Sequence, residues 1–225
     1  YFYQVGQRLG VDTINEYAHR FGLGEVTGIA LDHEKPGLIP SSKWKLDRYK
    51  EPWFAGETLS VAIGQGYVLA TPLQMANLIA TVANGGTRYK PHYVMRIEAP
   101  GGSGPAQEVT PEVLGSAGLR KTTLLQLREA LKGVVNAPNG TGKKAKLPTI
   151  EVAGKTGTAQ RPPHPDQSWY AVLAPYPNPR IVTVVTFEGG GFGAETAAPA
   201  ALSILEAYFH KQASEVSGAN GGSPG

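Results

Sequence analysis

The segment Lys155-Thr156-Gly157-Thr158 carries the residue types that one wall of a serine acyl-transfer site requires. Lys155 supplies a positive charge that attracts an anionic substrate terminus and holds proton carriers in place. Thr156 offers a hydroxyl for a substrate carboxylate, and Gly157 has no side chain, so an extended substrate can lie close to the backbone. The backbone N–H of Thr158 can donate to a developing oxyanion. The Lys-Thr-Gly tripeptide alone is a weak signal, because it occurs in many unrelated proteins.

Two further matches to catalytic motifs are rejected because of their context. Ser42-Lys43-Trp44-Lys45 fits Ser-x-x-Lys, a pattern that must open a buried helix so that the lysine lies one turn below the serine. This copy follows Pro40 among many charged residues, so we predict a polar loop instead. Gly154-Lys155-Thr156 resembles the end of a phosphate-binding loop, but that loop requires Gly at the position of Thr149. The sequence therefore predicts no phosphate site.

The composition excludes several other classes of functional site. None of the 225 residues is Cys, which rules out disulfide frameworks, cysteine-type zinc sites and thiol nucleophiles. The five histidines show no metal-ligand spacing, so we predict no metal site and no cofactor. The net charge is +3, but the tightest basic cluster, Lys143, Lys144 and Lys146, has no interleaved aromatic residues. This argues against binding of nucleic acid.

The ends of the sequence and its apolar runs indicate a piece of a longer protein. Tyr1-Phe2-Tyr3-Gln4-Val5 is typical of the interior of a structural element, and no signal peptide opens the sequence. The longest apolar run, Ile181 to Phe187, is far shorter than the roughly 20 residues that span a bilayer. The tail from Gln212, residues 212–225, is of low complexity, and we predict that it is disordered.

Hydrophobic periodicity and capping residues predict four helices and three strands. The predicted helices run from Asp12 or Thr13 to Gly22, from the Thr71-Pro72-Leu73-Gln74 capping box to Asn84, from about Thr123 to Asn136, and from about Ala194 to His210. The predicted strands are Thr149–Gln160, Ser168–Ala174 and Arg180–Glu188. Short connections favour an antiparallel meander, and the order of the elements favours an α+β fold. Val26 to Gly66 is predicted to be loop-rich. Gly189 to Gly193 suits a tight strand-to-helix turn or a close approach to the rim of the active site, and we predict the turn.

Several strings along the chain, taken in order, resemble class B penicillin-binding proteins. These strings are Tyr1-Phe2-Tyr3-Gln4, Phe21-Gly22-Leu23-Gly24 with Thr27-Gly28-Ile29, Gly64-Gln65-Gly66 with Thr71-Pro72-Leu73-Gln74-Met75, and Lys155-Thr156-Gly157-Thr158-Ala159-Gln160. Within this class, Ser42-Lys43-Trp44-Lys45 and the segment from Glu51 to Thr58 look most like the elongation transpeptidases, the penicillin-binding protein 2 subfamily. The resemblance covers about residues 1–210, and its specificity comes from the ordered set of strings.

The resemblance implies a fold and an activity. The fold is the β-lactamase/transpeptidase-like α+β architecture, an antiparallel sheet flanked by helices. We expect it to be incomplete here, with residues 1–211 forming the C-terminal part of the transpeptidase domain and contributing three strands. The implied activity is that of a peptidoglycan D,D-transpeptidase, which cross-links stem peptides through an acyl-serine intermediate and is inhibited by β-lactams.

The resemblance also assigns residues and partners. Lys155, Thr156 and Gly157 match the third family motif, and Thr158 matches the second oxyanion donor. Lys155 and Thr158 are thus the catalytic candidates, and Thr156, Gly157 and Thr158 the substrate-binding ones. The nucleophilic serine, the Ser-x-Asn motif and a membrane anchor are expected upstream of this chain, so that the fragment alone is inactive. The implied partners are stem peptides, β-lactams, an elongation glycosyltransferase and a scaffold protein, at the periplasmic face of a bacterial inner membrane.

Two other functions remain open at this stage. A serine β-lactamase is one, although the sequence before Lys155 has no Glu-x-x-x-Asn segment of the kind that positions a hydrolytic water in class A enzymes. A transpeptidase-like module that only binds wall peptides or partners is the other, and the intact Lys-Thr-Gly motif argues mildly against it. The acyl-enzyme lifetime of the complete protein separates the two enzymes.

Overall fold

Helices dominate the first part of the chain, and a three-stranded sheet dominates the second. The computed structural model describes residues 1–102 and 104–219, with side chains through residue 211. Two units are distinguished, Tyr1–Leu124 and the unit that begins at Leu125. The helix Lys121–Asn136 passes through the boundary between the two units.

The first unit contains five helices and two small antiparallel sheets in the described part of the chain. The helices are α1 (Phe2–Leu9), α2 (Val11–Arg20), α3 (Ser42–Tyr49), α4 (Ala55–Val61) and α5 (Pro72–Ala83). The strands are β1 (Thr87–Tyr89), β2 (Arg96–Ile97), β3 (Gln107–Glu108) and β4 (Val113–Ser116), with a 3₁₀ turn at Pro100–Gly102. β1 pairs with β4, and β2 pairs with β3.

Helix α5 begins with the predicted capping box. The hydroxyl of Thr71 accepts a hydrogen bond from the backbone N–H of Gln74 (3.1 Å), and Oε1 of Gln74 accepts one from the N–H of Thr71 (2.8 Å). Nε2 of the buried Gln74 also donates to the carbonyls of Glu25 and Pro36, each at 2.7 Å. One side chain thus starts the helix and holds the loop before α3.

The prediction of a loop-rich segment from Val26 to Gly66 is wrong where α3 and α4 lie. The Ser41 hydroxyl caps α3 by accepting a hydrogen bond from the N–H of Trp44 at 3.0 Å. Helix α2 also begins earlier than predicted, after Gly10. Asp12 does not cap α2, because its carboxylate accepts hydrogen bonds from the N–H and the hydroxyl of Ser42 (2.8 and 2.7 Å).

The second unit is built on an antiparallel meander, as predicted. Its strands are β5 (Ala153–Arg161), β6 (His164–Ala174) and β7 (Ile181–Phe187), in the order β5-β6-β7. Helix α6 (Lys121–Asn136) leads into this unit, a 3₁₀ turn covers Lys143–Ala145, and α7 (Ala197–Ala219) follows the sheet. The predicted α+β class is confirmed, and β5, β6 and β7 correspond to the three predicted strands.

One face of this sheet packs against α7 and the end of α6. Tyr170, Val172 and Ala174 from β6 are fully buried there. The α7 side chains that reach them are mostly alanines, which lets the helix lie close to the sheet. The other buried members of this core are Val135, Ala145, Leu147, Val152, Ala197, Ala198, Ala201 and Leu205.

Helix α7 is longer than predicted. It continues to Ala219, past His210 and past the predicted start of the disordered tail at Gln212. The prediction of disorder is therefore wrong for the backbone of residues 212–219, which is helical. The Ala, Gln and Glu residues in this segment favour helix. Residues 220–225 of the predicted tail lie outside the described residues. Among the described residues, no helix has the length and apolar character needed to cross a membrane.

Replacing Gln74 with Leu is expected to destabilise the first unit. The change removes the donor to two backbone carbonyls and half of the capping box, which should cost at least about 2 kcal/mol. We expect the thermal midpoint of the complete protein to fall by about 5 °C or more. The matched control is Gln126→Leu at an exposed position of α6. Equal midpoints for the two variants would contradict this account of Gln74.

Candidate active site

The four predicted site residues lie together on β5, at an edge of the three-stranded sheet in the described part of the chain. Residues directly opposite each other in an antiparallel pair point to the same face, and successive residues alternate. Lys155 and Gly157 lie opposite Ala171 and Trp169 and share their face. Thr156 and Thr158 lie opposite Tyr170 and Ser168, on the face that packs against α7. A ligand lying along the outer edge of β5 can contact both sets.

Lys155 places its ammonium group beside the backbone of the motif itself. Its Nζ donates to the carbonyl oxygen of Thr156 at 2.7 Å. The residue as a whole is exposed, but the surrounding protein partly desolvates the ammonium group, and this lowers the pKa of Lys155 below the ordinary lysine value. The arrangement keeps a cation at the strand edge, where it can attract a carboxylate.

The hydroxyl of Thr156 has a partner that was not predicted. Oγ1 of Thr156 lies 3.2 Å from Oγ1 of Thr141, and either hydroxyl can be the donor. Thr156 is half-buried and Thr141 is exposed, so the pair is accessible to a ligand. Thr141 lies in the Gly-Thr-Gly turn after α6, where no periodicity or charge pattern distinguishes it in the sequence.

Gly157 places no side chain on its face of the strand. A Cβ atom built at this position would meet the Cβ of Trp169 at 3.3 Å, a tight contact. The missing side chain is compatible with the approach of an extended ligand to the backbone here, which stays a prediction. Its position also fits the usual reason for Gly inside a strand, a close approach of another chain.

On the opposite face, the backbone of Gly193 lies directly against β5. A Cβ atom at Gly193 would come closer than 3.0 Å to the carbonyl oxygens of Trp169 and Gly157. The N–H of Gly193 donates a long hydrogen bond (3.4 Å) to Oγ1 of Thr158, and its carbonyl accepts from the N–H of Ala198 at 2.9 Å. The glycine-rich stretch before α7 is thus more than the predicted turn, because it fixes α7 to the motif strand.

Gly154, just before the motif, makes room for Tyr170. A Cβ atom at Gly154 would lie 2.7 Å from the Tyr170 hydroxyl. Burial raises the pKa of that hydroxyl well above its ordinary value, and it has no hydrogen-bond partner among the described residues. The Tyr170 ring therefore serves as packing under the motif, and its phenol is not available as an acid at neutral pH.

Ser42 and Lys45 form no nucleophile–base pair, although the sequence argument for this conclusion was wrong. They lie on helix α3 and Lys45 is buried, so the motif does open a helix. The Ser42 hydroxyl, however, donates to Asp12. Lys45 Nζ is 2.7 Å from both carboxylate oxygens of Glu57 and 4.2 Å from the centre of the Phe54 ring. Burial alone would raise the pKa of Glu57, but hydrogen bonds from Lys45 and from the Phe54 N–H lower it.

Residues 1–206 match the family described as penicillin binding protein transpeptidase domain. The chain therefore belongs to the penicillin-binding protein transpeptidase family. Within this family it is of the PBP2/MrdA type. It is 36% identical over 235 residues to the peptidoglycan D,D-transpeptidase MrdA of Haemophilus influenzae, covering 96% of this chain and 35% of that protein.

Solved structures of PBP2 have the same fold. Pseudomonas aeruginosa PBP2 in complex with WCK 5153 matches with a TM-score of 0.82 at 34% identity, over 92% of this chain and 46% of that chain. The complex between PBP2 and MreC from Helicobacter pylori matches with a TM-score of 0.78 at 29% identity, over 93% of this chain and 38% of that chain. The chain thus spans less than half the length of these relatives.

Gly193→Ala is expected to disturb the motif strand. The added methyl group must displace either the backbone at Gly157 or the start of α7, and overpacking of this kind costs about 1–3 kcal/mol. We expect a lower thermal midpoint of the complete protein and weaker labelling by fluorescent penicillin. Gly133→Ala is the control, because a Cβ there meets no other described atom and alanine favours the helix. Wild-type labelling and midpoint in Gly193→Ala would show that the contact is loose.

Proposed function

We propose that this chain supplies the substrate-binding wall of a peptidoglycan D,D-transpeptidase that works through an acyl-serine intermediate. The observation that carries the proposal is the position of Lys155-Thr156-Gly157-Thr158 on an edge strand, with a lysine and a glycine on one face. The similarity to MrdA across nearly the whole chain supports the reaction class. An edge strand also suits a peptide substrate, since an extended peptide can pair with its outer edge.

The four residues would act at different points of the substrate. The terminal carboxylate of a stem peptide is attracted by Lys155 and hydrogen-bonded by the hydroxyl of Thr156. Gly157 lets the peptide backbone approach the strand. The backbone N–H of Thr158 donates to the oxygen that becomes negative when a serine attacks the substrate carbonyl. The nucleophilic serine would come from protein outside residues 1–225. Its attack would break the amide bond to the C-terminal residue of the first stem peptide and release that residue. An amine of a second stem peptide would then attack the acyl-serine carbonyl and release the serine.

The same site would be acylated by β-lactams. A penicillin carries a carboxylate next to its reactive amide, so it presents to Lys155 and Thr156 the charge that a stem peptide presents. Wall synthesis of this kind takes place at the periplasmic face of the inner membrane, where an upstream anchor would hold the protein. The complex of H. pylori PBP2 with MreC supports a scaffold partner for this protein as well. The similarity to a chain of a peptidoglycan synthase complex that coordinates polymerization and crosslinking supports a glycosyltransferase partner.

Lys155→Met tests the role of the ammonium group. Loss of a charge-assisted contact to the substrate carboxylate should lower the second-order rate constant for acylation of the complete protein by fluorescent penicillin about 10–100-fold. Because the pKa of Lys155 is lowered, its charge disappears as pH rises through a value below the ordinary 10.5. As pH rises, acylation of the wild type should therefore begin to decline before pH reaches 10.5.

The control is Lys143→Met, which removes an exposed lysine from the turn after α6. Penicillin should acylate this variant at the same rate as the wild type at every pH. An unchanged acylation rate in Lys155→Met, with the thermal midpoint preserved, would exclude Lys155 from the substrate site. Rapid turnover of penicillin by the wild type would instead favour a β-lactamase.

Residues 1–225 alone should not be labelled by fluorescent penicillin. The only Ser-x-x-Lys string in the chain has its serine bonded to Asp12 and its lysine paired with Glu57. Circular dichroism on the same sample checks that it contains folded protein. Covalent labelling that disappears in Ser42→Ala would overturn the proposal and make Ser42 the nucleophile.

A further inference from the structure

The hydroxyl of Thr141 faces the hydroxyl of Thr156, the motif residue that we propose binds the substrate carboxylate. Their Oγ1 atoms are 3.2 Å apart, within the range of a hydrogen bond but at its long end. The two residues are 15 positions apart and belong to different elements, a turn and a strand. Their contact is therefore set by how the turn after α6 is held against β5.

Backbone hydrogen bonds hold this turn on both sides of Thr141. The N–H of Gly140 donates to the carbonyl of Ala137 at 3.0 Å, and the N–H of Gly142 donates to that of Val134 at 2.9 Å. A Cβ atom at Gly140 would collide with the backbone of α6, and one at Gly142 would lie 3.3 Å from the ring and hydroxyl of Tyr170. Both glycines allow the turn to pack tightly, so the backbone fixes the position of the Thr141 Cα and Cβ atoms, from which its hydroxyl reaches Thr156.

The end of α6 is also tied to the start of the motif strand. Nδ2 of Asn136 donates to the carbonyl of Val152, the residue before β5, at 2.9 Å. Val135 is buried in the same core as Val152 and Tyr170. The turn and the strand therefore share one support, which keeps Thr141 and Thr156 in register without help from a ligand.

We propose that Thr141 is a positioning residue that orients the hydroxyl of Thr156 toward the substrate carboxylate. A hydroxyl has one proton to donate, whereas a carboxylate can only accept. When Thr141 donates to Oγ1 of Thr156, the proton of Thr156 is left for the carboxylate, and the two hydrogen bonds in series reinforce each other. Without Thr141, the Thr156 hydroxyl can rotate toward other acceptors or water. This inference rests on the proposed transpeptidase function.

Because Thr141 is exposed, an effect of its hydroxyl on positioning can be measured without an effect on folding. Thr141 is exposed, so loss of its hydroxyl leaves no buried group without a partner. Thr141→Val keeps the shape of the side chain and removes only the hydroxyl. We therefore expect the thermal midpoint of this variant to match that of Thr149→Val, a control at an exposed threonine between the turn and β5.

The test uses acylation kinetics of the complete protein with a fluorescent penicillin. Thr141→Val should raise the penicillin concentration for half-maximal acylation about fivefold to tenfold, with the limiting rate changed by less than about twofold. Thr141→Ser, which keeps the hydroxyl, should restore the wild-type value. The neutral methyl ester of the same penicillin should acylate the wild type and Thr141→Val equally, because it has no carboxylate for Thr156 to bind.

A double-mutant cycle separates this inference from the proposed function. If Thr141 acts through Thr156, then Thr141→Val should have almost no further effect in a Thr156→Val background. Additive losses, or an equal loss with the ester, would overturn the positioning role while leaving the proposed function intact. Wild-type protein that penicillin does not acylate, or an unaffected Thr156→Val, would overturn the proposed function and this inference with it.

Discussion

The close contact between the motif strand and the segment that starts α7 is the constraint on which the second unit depends. Gly193 has no side chain, so its backbone can lie against the carbonyls of Gly157 and Trp169. The Gly193 carbonyl accepts a hydrogen bond from the N–H of Ala198. Fully buried alanines of α7 then pack against the sheet. Bulkier residues would lift α7 from the sheet and open the core around Tyr170 and Val172. Backbone contacts thus hold the face of β5 that packs against α7 in one position relative to the helix.

This constraint explains how an exposed edge strand can hold a site in place. A strand at a sheet edge is paired on one side only and is otherwise free to fray. Here β5 is held by β6, by Gly193 on its inner face and by Asn136 just before its first residue. Among the described residues, no further strand pairs with the outer edge of β5. Rigid support and ligand access therefore come from opposite sides of the same strand, which is what a preorganised site requires.

Local signals predicted much of the fold. The capping box at Thr71 and the strands around Tyr176 to Pro179 depend on residues adjacent in sequence, and both are present in the structure. Helix α3 was missed although Ser41 caps it, because its charged lysine is buried through a pair with Glu57, 12 positions further along the chain, and the sequence pattern does not reveal that contact. The strand that carries Lys155 to Thr158 was predicted, whereas the contact between Thr141 and Thr156 was not. A tertiary hydrogen bond from an irregular turn leaves no pattern in the sequence.

The Ser42 to Lys45 string shows why partners decide the chemistry of a motif more than its spacing does. The structure supplies the helix that the motif needs and buries the lysine, so spacing and burial both match a catalytic pair. A lysine that accepts a proton from serine must offer the lone pair of a neutral amine. Lys45 Nζ instead hydrogen-bonds both carboxylate oxygens of Glu57 and lies over the Phe54 ring, so its donors are engaged away from the serine. The Ser42 hydroxyl likewise donates its hydrogen bond to the Asp12 carboxylate. Lys155 differs from Lys45 in its partners. Its ammonium donates to the backbone carbonyl of Thr156, and the residue is exposed at a sheet edge, where an anion can reach it.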